Sequence, residues 1–398
     1  MHRLLSLSAW LSAALALPAQ SIYEARNISQ PLFESLEELA RVVDISYCVG
    51  TSGIQEPFSC LSRCDEFEGF ELVTTWNTGP LLSDSSGYIA VSHDPHPKRV
   101  IVAFRGTYSI ANTIADLSTT PADYAPFPSD HENDSVCTQQ QPVSRPENSQ
   151  EPLLPQLVKQ TKRSNPVPDC KNCTVHSGFL TSWRNTRCII VPHVEAALRD
   201  HPDYQLTLVG HSLGGAVAAL ASLEFLARGW EPYVTTFGEP RIGNRAFNKF
   251  LDERFNLGAE HVEDARFRRV THVDDPVPLL PLEEWGYRMH AGEIFIGKAG
   301  LPPAPEDLKF CDGDQDINCI AGGVETSADV DLDHDAEIQD QDSSRVKALW
   351  GIGKRYRLWQ LFFAHRDYFW RLGLCVPGGD PWDWNREKYG QGPPDDEL

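Results

Sequence analysis

Basic residues are scarce in this sequence. Its 35 lysines and arginines stand against 56 aspartates and glutamates, which gives a formal net charge of −21 at pH 7. Because an acidic surface repels phosphate backbones and anionic headgroups, this charge argues against nucleic acid as a partner. A neutral or hydrophobic substrate is the better match.

Long apolar runs are also scarce, and the longest lies at the N-terminus. Residues 4–17 form an apolar stretch of 14 residues behind a short basic region, whereas a helix that crosses a bilayer needs about 20. Small residues follow, with Ala16 and Ala19 as candidate cleavage points, which is typical of a secretory signal peptide. We therefore predict a signal peptide at 1–20 and a mature chain at 21–398; an N-terminal membrane anchor is the alternative.

Cysteines, in contrast, are plentiful. The ten present are typical of a protein that folds in an oxidising compartment. Behind a signal peptide, three N-x-[ST] sequons become candidate glycosylation sites, at Asn27, Asn133 and Asn172. The last four residues, Asp395-Asp396-Glu397-Leu398, resemble the K-D-E-L retention signal except at the first position. We expect a chain of the secretory pathway, either secreted or held in the endoplasmic reticulum.

Strand and helix patterns alternate through the middle of the chain. Short apolar runs predict strands, and longer amphipathic or alanine-rich stretches predict helices. This alternation predicts an α/β fold with a mostly parallel central sheet and helices on both faces. The predicted strands are 87–91, 99–104, 205–209, 233–237 and 267–273; the predicted helices are 32–43 (capped by Ser29), 179–199 (kinked by Pro192), 216–228 and 244–255.

Two segments interrupt the alternation. Residues 118–169 are rich in Pro, Ser, Gln and Asn, and residues 312–342 are acidic and poor in large apolar side chains. Neither has the composition to form a core of its own, and no internal repeat is present. We predict one domain that carries two insertions.

The segment Gly210-His211-Ser212-Leu213-Gly214 matches G-x-S-x-G, between a predicted strand and a predicted helix. In this motif the serine lies on a strained turn, and the flanking glycines remove Cβ atoms that would clash. The helix N-terminus also directs N–H groups at developing negative charge. We predict Ser212 as the nucleophile of a serine hydrolase; an ordinary serine in a glycine-rich turn is the alternative.

This elbow, continued by Gly215-Ala216, resembles that of the fungal class 3 (triacylglycerol) lipases, and the resemblance extends over about residues 33–377 outside the two insertions. It implies an α/β-hydrolase fold that works without a cofactor. The segment Phe104-Arg105-Gly106-Thr107 is similar to the family's F-R-G-S/T. That similarity implies an oxyanion hole made by the backbone N–H groups of Thr107 and Leu213.

Residues 109–117 are similar to the lid helix of these lipases, S-I-x-N-W-I-x-D-L, with Thr113 in place of the usual Trp. Apolar residues spaced i, i+4, i+7 fall on one helix face. The resemblance implies a mobile amphipathic lid; a simple surface helix is the alternative. The matching lid positions are Ile110, Asn112, Ile114 and Asp116.

The chain order of this fold places the acid after the serine and the histidine last. Asp274 and Asp275 follow a predicted strand, and the family's D-x-V-P selects Asp275, with Asp274 as the alternative. His365 lies in a segment similar to the family's D-H-x-x-Y-F…G-L-C, although Ala364 replaces the usual Asp. The resemblance therefore implies Asp275 as the acid and His365 as the base.

Two other histidines follow Asp275. His334 lies among aspartates, which favour the imidazolium form that cannot accept a proton from serine. His290 resembles a structural H-A-G-E element of the family. Both are weaker candidates for the base than His365.

Disulfide pairing is implied by the resemblance for Cys48–Cys375, Cys60–Cys64 and Cys170–Cys173. We expect Cys311–Cys319 at one end of the acidic insertion, while Cys137 and Cys188 are left either paired or free. We expect no metal site. The cysteines at 170–173 lack a second ligand pair, and the acidic run at 312–316 lacks the glycine and glutamate of a calcium loop.

The sequence thus predicts a carboxylic ester hydrolase, first of all a triacylglycerol lipase that acts through a Ser212 acyl-enzyme. Its expected partner is an acylglycerol or another neutral ester at a lipid interface. A feruloyl-type or short-chain esterase of the same fold is one alternative. An inactive hydrolase-like binding protein is the other.

Overall fold

The computed structural model describes residues 26–79, 84–107, 121–127, 169–258, 262–322 and 364–376. Several predictions fall outside these ranges. They concern the signal peptide, the lid positions Ile110, Asn112, Ile114 and Asp116, the sequon at Asn133, Cys137, His334, most of both insertions, and the C-terminal tetrapeptide.

Helices and strands alternate through the described residues. The α-helices are α1 (Gln30–Ile45), α2 (Ser177–Asp200), α3 (Leu213–Ala227) and α4 (Arg245–Phe255). The strands are β1 (Phe70–Asn77), β2 (Ser86–Ser92), β3 (Arg99–Phe104), β4 (Pro121–Asp123), β5 (Thr174–His176), β6 (Gln205–His211), β7 (Tyr233–Phe237), β8 (Gly243–Asn244), β9 (Phe267–His272), β10 (Tyr287–Arg288), β11 (Glu293–Ile296) and β12 (Leu308–Phe310).

A central sheet of eight strands has the order β1-β2-β3-β6-β7-β9-β11-β12. Its inner strands β3, β6, β7, β9 and β11 are parallel, while β1, β2 and β12 pair antiparallel at the two edges. The mostly parallel α/β sheet expected from the sequence is confirmed. Its carboxyl edge is where ligand-contacting residues collect in such sheets.

Both faces of the sheet are covered, as the apolar runs require. Side chains alternate between the faces along β3: Val100, Val102 and Phe104 pack with α2, α3 and α4. Ile101 and Ala103 point the other way and pack with α1 and the 364–376 segment. The first helix and the end of the chain therefore share one face.

A small antiparallel sheet, β10-β8-β5-β4, was not predicted. Its strand β4 lies inside the predicted 118–169 insertion, and Tyr124 directly after it is buried against Phe247, with ring centroids 5.0 Å apart. Residues 121–127 are therefore integrated into the fold.

The start of the predicted acidic insertion, residues 312–322, also packs on the fold. Ile320 is buried, and Asp316 accepts hydrogen bonds from the backbone N–H groups of Asp312 and Asn318 and from the Arg26 guanidinium. Its oxygens are thus used by protein donors. Among the described helices, none is both long and apolar enough to span a membrane.

Disulfides join Cys48 to Cys375, Cys60 to Cys64, Cys170 to Cys173 and Cys311 to Cys319, as expected. Cys188, whose state the sequence left open, is disulfide-bonded as well. The Cys48–Cys375 bond spans 327 residues of sequence and ties the end of α1 to the 364–376 segment.

Candidate active site

Ser212 lies on the turn between β6 and α3, with φ 57° and ψ −130°. A positive φ is rare for a residue with a side chain and stores strain. The turn is held by the Ser212 N–H, which donates to the Phe237 carbonyl at 2.9 Å. It also needs Gly210, where a Cβ would lie 2.4 Å from the Gly214 carbonyl oxygen. The strained elbow predicted from the motif is thus present.

The loop after β3 passes directly against this elbow. A Cβ at Gly106 would lie 2.8 Å from the Ser212 Cβ, so only glycine permits the approach. Arg105 holds the loop by donating from Nη1 to the Val49 carbonyl at 2.6 Å. Thr107 follows Gly106, and Leu213 follows Ser212. The two expected oxyanion donors are therefore the residues directly after the point where the loop after β3 meets the Ser212 elbow.

Asp275 and His365 form a buried pair, each 1% exposed. Asp275 follows β9, and its carboxylate lies 2.9 and 3.0 Å from His365 Nδ1. Because a carboxylate only accepts, Nδ1 carries the proton and the Nε2 lone pair is left for another donor. No partner for Nε2 lies within the described ranges. Neighbouring Asp274 is exposed.

The pKa of Asp275 lies below its usual value although the group is fully buried. Burial alone would raise this pKa, but the charge of His365 and hydrogen bonds from His365, Tyr368 and the Val277 N–H outweigh it. Burial and the adjacent carboxylate hold the pKa of Tyr368 well above its usual value, so its hydroxyl remains a donor to Asp275. Asp275 is therefore ionised in spite of its burial.

Gly238 and Tyr368 complete the surroundings of this pair. Neither was predicted from the sequence to have a role in the site. Gly238 follows β7 with φ 59°. A Cβ there would lie 2.6 Å from the Tyr368 hydroxyl, 2.9 Å from Asp275 Oδ2 and 2.9 Å from His365 Cε1. The sequence signal that could have revealed Gly238 is a glycine directly after a predicted strand, at the sheet edge where Asp275 and Ser212 lie.

His211 joins the two halves of the site. Its ring lies 4.7 Å from the ring of His365, centroid to centroid, and its Nε2 is 2.8 Å from the His365 carbonyl oxygen. Burial first, and then the nearby His365, lower the pKa of His211 to about 3, so the ring is neutral. The residue before Ser212 thus touches the main chain of His365.

His290 lies in a separate buried pair with Glu239, its Nε2 2.8 Å from Oε1. Its Nδ1 is 2.7 Å from the Ala291 carbonyl, so both ring nitrogens face acceptors and neither is free to take a proton from serine. The two sequons within the described residues, Asn27 and Asn172, are exposed; glycosylation stays a prediction.

Comparison with known proteins agrees with this geometry. The family model for lipase (class 3) matches residues 101–285. Secreted mono- and diacylglycerol lipase 2 of Gibberella zeae is 48% identical over 96% of this chain and 91% of its own length. Lipase A of Sodiomyces alcalophilus is 46% identical over 98% and 94%.

A solved structure is similar as well. The Lip2 lipase of Yarrowia lipolytica aligns with a TM-score of 0.63 at 26% identity, over 88% of this chain and 97% of that chain. The resemblance stated from the motifs is thereby confirmed along nearly the whole chain. The chain belongs to the class 3 lipase family and is a carboxylic ester hydrolase.

Proposed function

We propose that the chain hydrolyses acylglycerols, with Ser212 as nucleophile, His365 as base and Asp275 as acid. The observation that carries this proposal is the buried Asp275–His365 pair, which lies beside the strained Ser212 elbow with its Nε2 lone pair unengaged by the described residues. That lone pair is what a serine hydroxyl needs in order to lose its proton.

The reaction follows from the positions of these groups. Ser212 Oγ attacks the ester carbonyl carbon while His365 Nε2 takes the hydroxyl proton, and the carbonyl oxygen becomes an oxyanion. The Leu213 and Thr107 N–H groups stabilise this charge. His365 returns the proton to the departing alcohol, which leaves an acyl-enzyme. Water then repeats the sequence and releases the fatty acid.

The substrate class rests on charge and on the relatives. A protein of net charge −21 disfavours anionic esters. The relative from Gibberella zeae is named a mono- and diacylglycerol lipase. We therefore propose neutral partial glycerides as the preferred substrates and triacylglycerols as the second choice.

The proposed acid of the triad, Asp275, has a lowered pKa and is therefore ionised at neutral pH in spite of its burial.

Secretion is part of this proposal. The N-terminal stretch has the pattern of a signal peptide, the described cysteines form disulfides, and the Gibberella zeae relative is named as secreted. Retention in the endoplasmic reticulum through the C-terminal tetrapeptide is the alternative, and comparing the medium with the cell fraction separates the two.

The test is a fluorophosphonate label and a substrate panel on the purified protein. Wild type should label and should release fatty acid from emulsified mono-, di- and triacylglycerols, and Ser212→Ala should do neither. Ser222→Ala is the matched control, because Ser222 is a buried serine of α3 that bonds the Ala219 carbonyl. Equal labelling of wild type and Ser212→Ala would remove Ser212 from the mechanism.

The panel also decides the ester class. Activity on p-nitrophenyl esters of long acyl chains, with a rate increase above the solubility limit, is expected of a lipase that works at an interface. Hydrolysis limited to short-chain or aromatic acyl esters would instead support the esterase alternative. No labelling and no hydrolysis at all would favour the inactive binding protein.

A further inference from the structure

Tyr47 lies in the single turn of 3-10 helix that follows α1, Ser46–Cys48, far from the motifs in sequence. Its side chain is 2% exposed. Its hydroxyl lies 2.5 Å from His211 Nδ1 and also accepts a hydrogen bond from the Gly106 backbone N–H. One buried hydroxyl therefore contacts both the loop after β3 and the residue before the nucleophile.

The donors and acceptors around this hydroxyl have one consistent assignment. The His365 carbonyl can only accept, so His211 Nε2 carries the ring proton. His211 is neutral, and its Nδ1 must then accept from the Tyr47 O–H. The Tyr47 oxygen in turn accepts from Gly106. Gly106 N–H, Tyr47, His211 and the His365 carbonyl thus form one continuous hydrogen-bonded chain, each member donating to the next.

This chain joins three separate parts of the site. Gly106 contacts Ser212 and precedes Thr107, His211 precedes Ser212, and His365 carries the base. The hydrogen bonds hold the backbone N–H of Gly106 at one end and the backbone carbonyl of His365 at the other. A shift of either backbone segment is therefore resisted by the same two side chains, Tyr47 and His211. Both side chains are buried, where hydrogen bonds are stronger and an unmatched partner is costly.

We propose that Tyr47 and His211 are positioning residues that hold the Gly106–Thr107 loop and the His365 backbone in register with Ser212. The inference rests on the proposed function, since it assigns these two residues to the same reaction. Neither residue touches the substrate; both act through the placement of the oxyanion donors and the base.

The first test is Tyr47→Phe, which keeps the ring and removes the hydroxyl. We expect kcat on long-chain esters to fall about tenfold and KM to stay within about twofold, because small displacements of catalytic groups cost rate rather than binding. Tyr88→Phe is the matched control: Tyr88 is equally buried, and its hydroxyl donates to the Val42 carbonyl at 2.8 Å.

Both variants lose one buried hydroxyl, so both should lower Tm, but only Tyr47→Phe should lower kcat. A purely structural role for Tyr47 predicts a lower Tm with kcat equal to that of Tyr88→Phe, and that result would overturn the proposal. If Tyr47→Phe does not fold, the two variants of the second test carry the decision.

The second test removes one of the two hydrogen bonds of His211 at a time. His211→Gln can still donate to the His365 carbonyl but offers no acceptor at the Nδ1 position. His211→Asn can accept from Tyr47 but does not reach His365. Each should lower kcat severalfold relative to wild type with KM within about twofold. Wild-type kcat in both would refute the proposed positioning role.

The double variant Tyr47→Phe/His211→Gln tests whether the contacts act as one unit. Both changes break the same Tyr47–His211 contact, so we expect its kcat to be no more than about twofold below that of the slower single variant. Full additivity of the two losses would contradict a connected chain. Fluorophosphonate labelling of wild type separates failure of the proposed function from failure of the positioning role. If wild type is not labelled, the proposed function is rejected. If wild type is labelled and Tyr47→Phe has normal kcat, only the positioning role is rejected.

Discussion

Gly238 lies directly against the buried Asp275–His365 pair. Three atoms of Tyr368, Asp275 and His365 lie within 3 Å of where its Cβ would be, and its φ of 59° already disfavours a side chain. The close neighbours and the positive φ have one cause: the backbone must turn sharply after β7 to leave room for the buried Asp275–His365 pair.

Gly238→Ala should therefore combine backbone strain with displacement of the pair. Gly229→Ala isolates the strain, because Gly229 has φ 80° and nothing within 4 Å of a Cβ. We expect Gly229→Ala to cost about 1–2 kcal/mol of unfolding free energy with unchanged kcat. Gly238→Ala should cost more and lower kcat about a hundredfold. Equal kcat in the two variants, measured on one ester, would show that the close contacts at Gly238 are unimportant.

Local sequence pointed to some residues of the candidate site and not to others, for a physical reason. Ser212 and Asp275 each sit in a run whose neighbours have to meet local geometric needs, such as the glycines of the elbow. Tyr47 meets His211 across 164 residues of sequence. Nothing around Tyr47 reveals that contact, because it exists only once α1 packs on the sheet.

Elements were predicted well where their signal is local. Ser29 caps α1 by accepting from the Leu32 N–H, and the apolar spacing of the helix faces the core. In contrast, α3 begins at Leu213 rather than at residue 216, since the elbow turns directly into the helix. Strand β11 was missed because it begins with Glu293, whose buried carboxylate accepts hydrogen bonds from Arg269 and Thr271 of the neighbouring strand and from the Ile320 N–H.

The junction of α1 with the His365 segment contains a buried carboxyl group. Asp44 accepts from the Gly373 N–H at 2.7 Å and faces Ser62, Arg63 and Arg366. Burial raises its pKa from 3.8 to about 6, against the opposing effect of that N–H and the two arginines. The group therefore links the stability of this junction to pH.

Between pH 3.8 and about 6 the folded protein holds a proton on Asp44 that the unfolded chain has lost. Stability from this group is thus lost as the pH rises through that window, by about 3 kcal/mol in total. Asp44→Asn cannot ionise and keeps an acceptor for Gly373. We expect its unfolding free energy, minus that of wild type, to increase between pH 4 and pH 7 in urea titrations.

His211 acts in the opposite direction over much of the same range, because its pKa of about 3 makes stability rise as the pH rises towards 6.5. This contribution is common to both proteins and cancels in the difference. Asp44→Ala, which also loses the acceptor for Gly373, should be less stable than Asp44→Asn at every pH. A difference between Asp44→Asn and wild type that does not change with pH would contradict the raised pKa.

In the whole molecule, the two ends of the described chain close one face of the sheet. Helix α1 and the 364–376 segment pack together there, with Phe33 and Phe369 ring centroids 5.3 Å apart. Arg41 and Arg63 lie over the Trp370 ring at 5.5 and 5.0 Å. The proposed base, His365, therefore depends for its position on contacts with residues more than 300 positions earlier in the chain.

The Cys48–Cys375 disulfide is the covalent part of this closure. In the chain-entropy model its 327-residue loop is worth about 6 kcal/mol, whereas the Cys60–Cys64 loop, with a separation of 4, is worth about 2 kcal/mol. Replacing both cysteines of each pair by alanine should therefore lower the unfolding free energy more for the long loop.

The Cys48→Ala/Cys375→Ala protein should also have a lower kcat, because Cys375 lies ten residues after His365. The Cys60→Ala/Cys64→Ala protein should retain the wild-type kcat. Equal losses of stability in urea, with equal kcat, would mean that the noncovalent contacts of α1 hold the 364–376 segment by themselves.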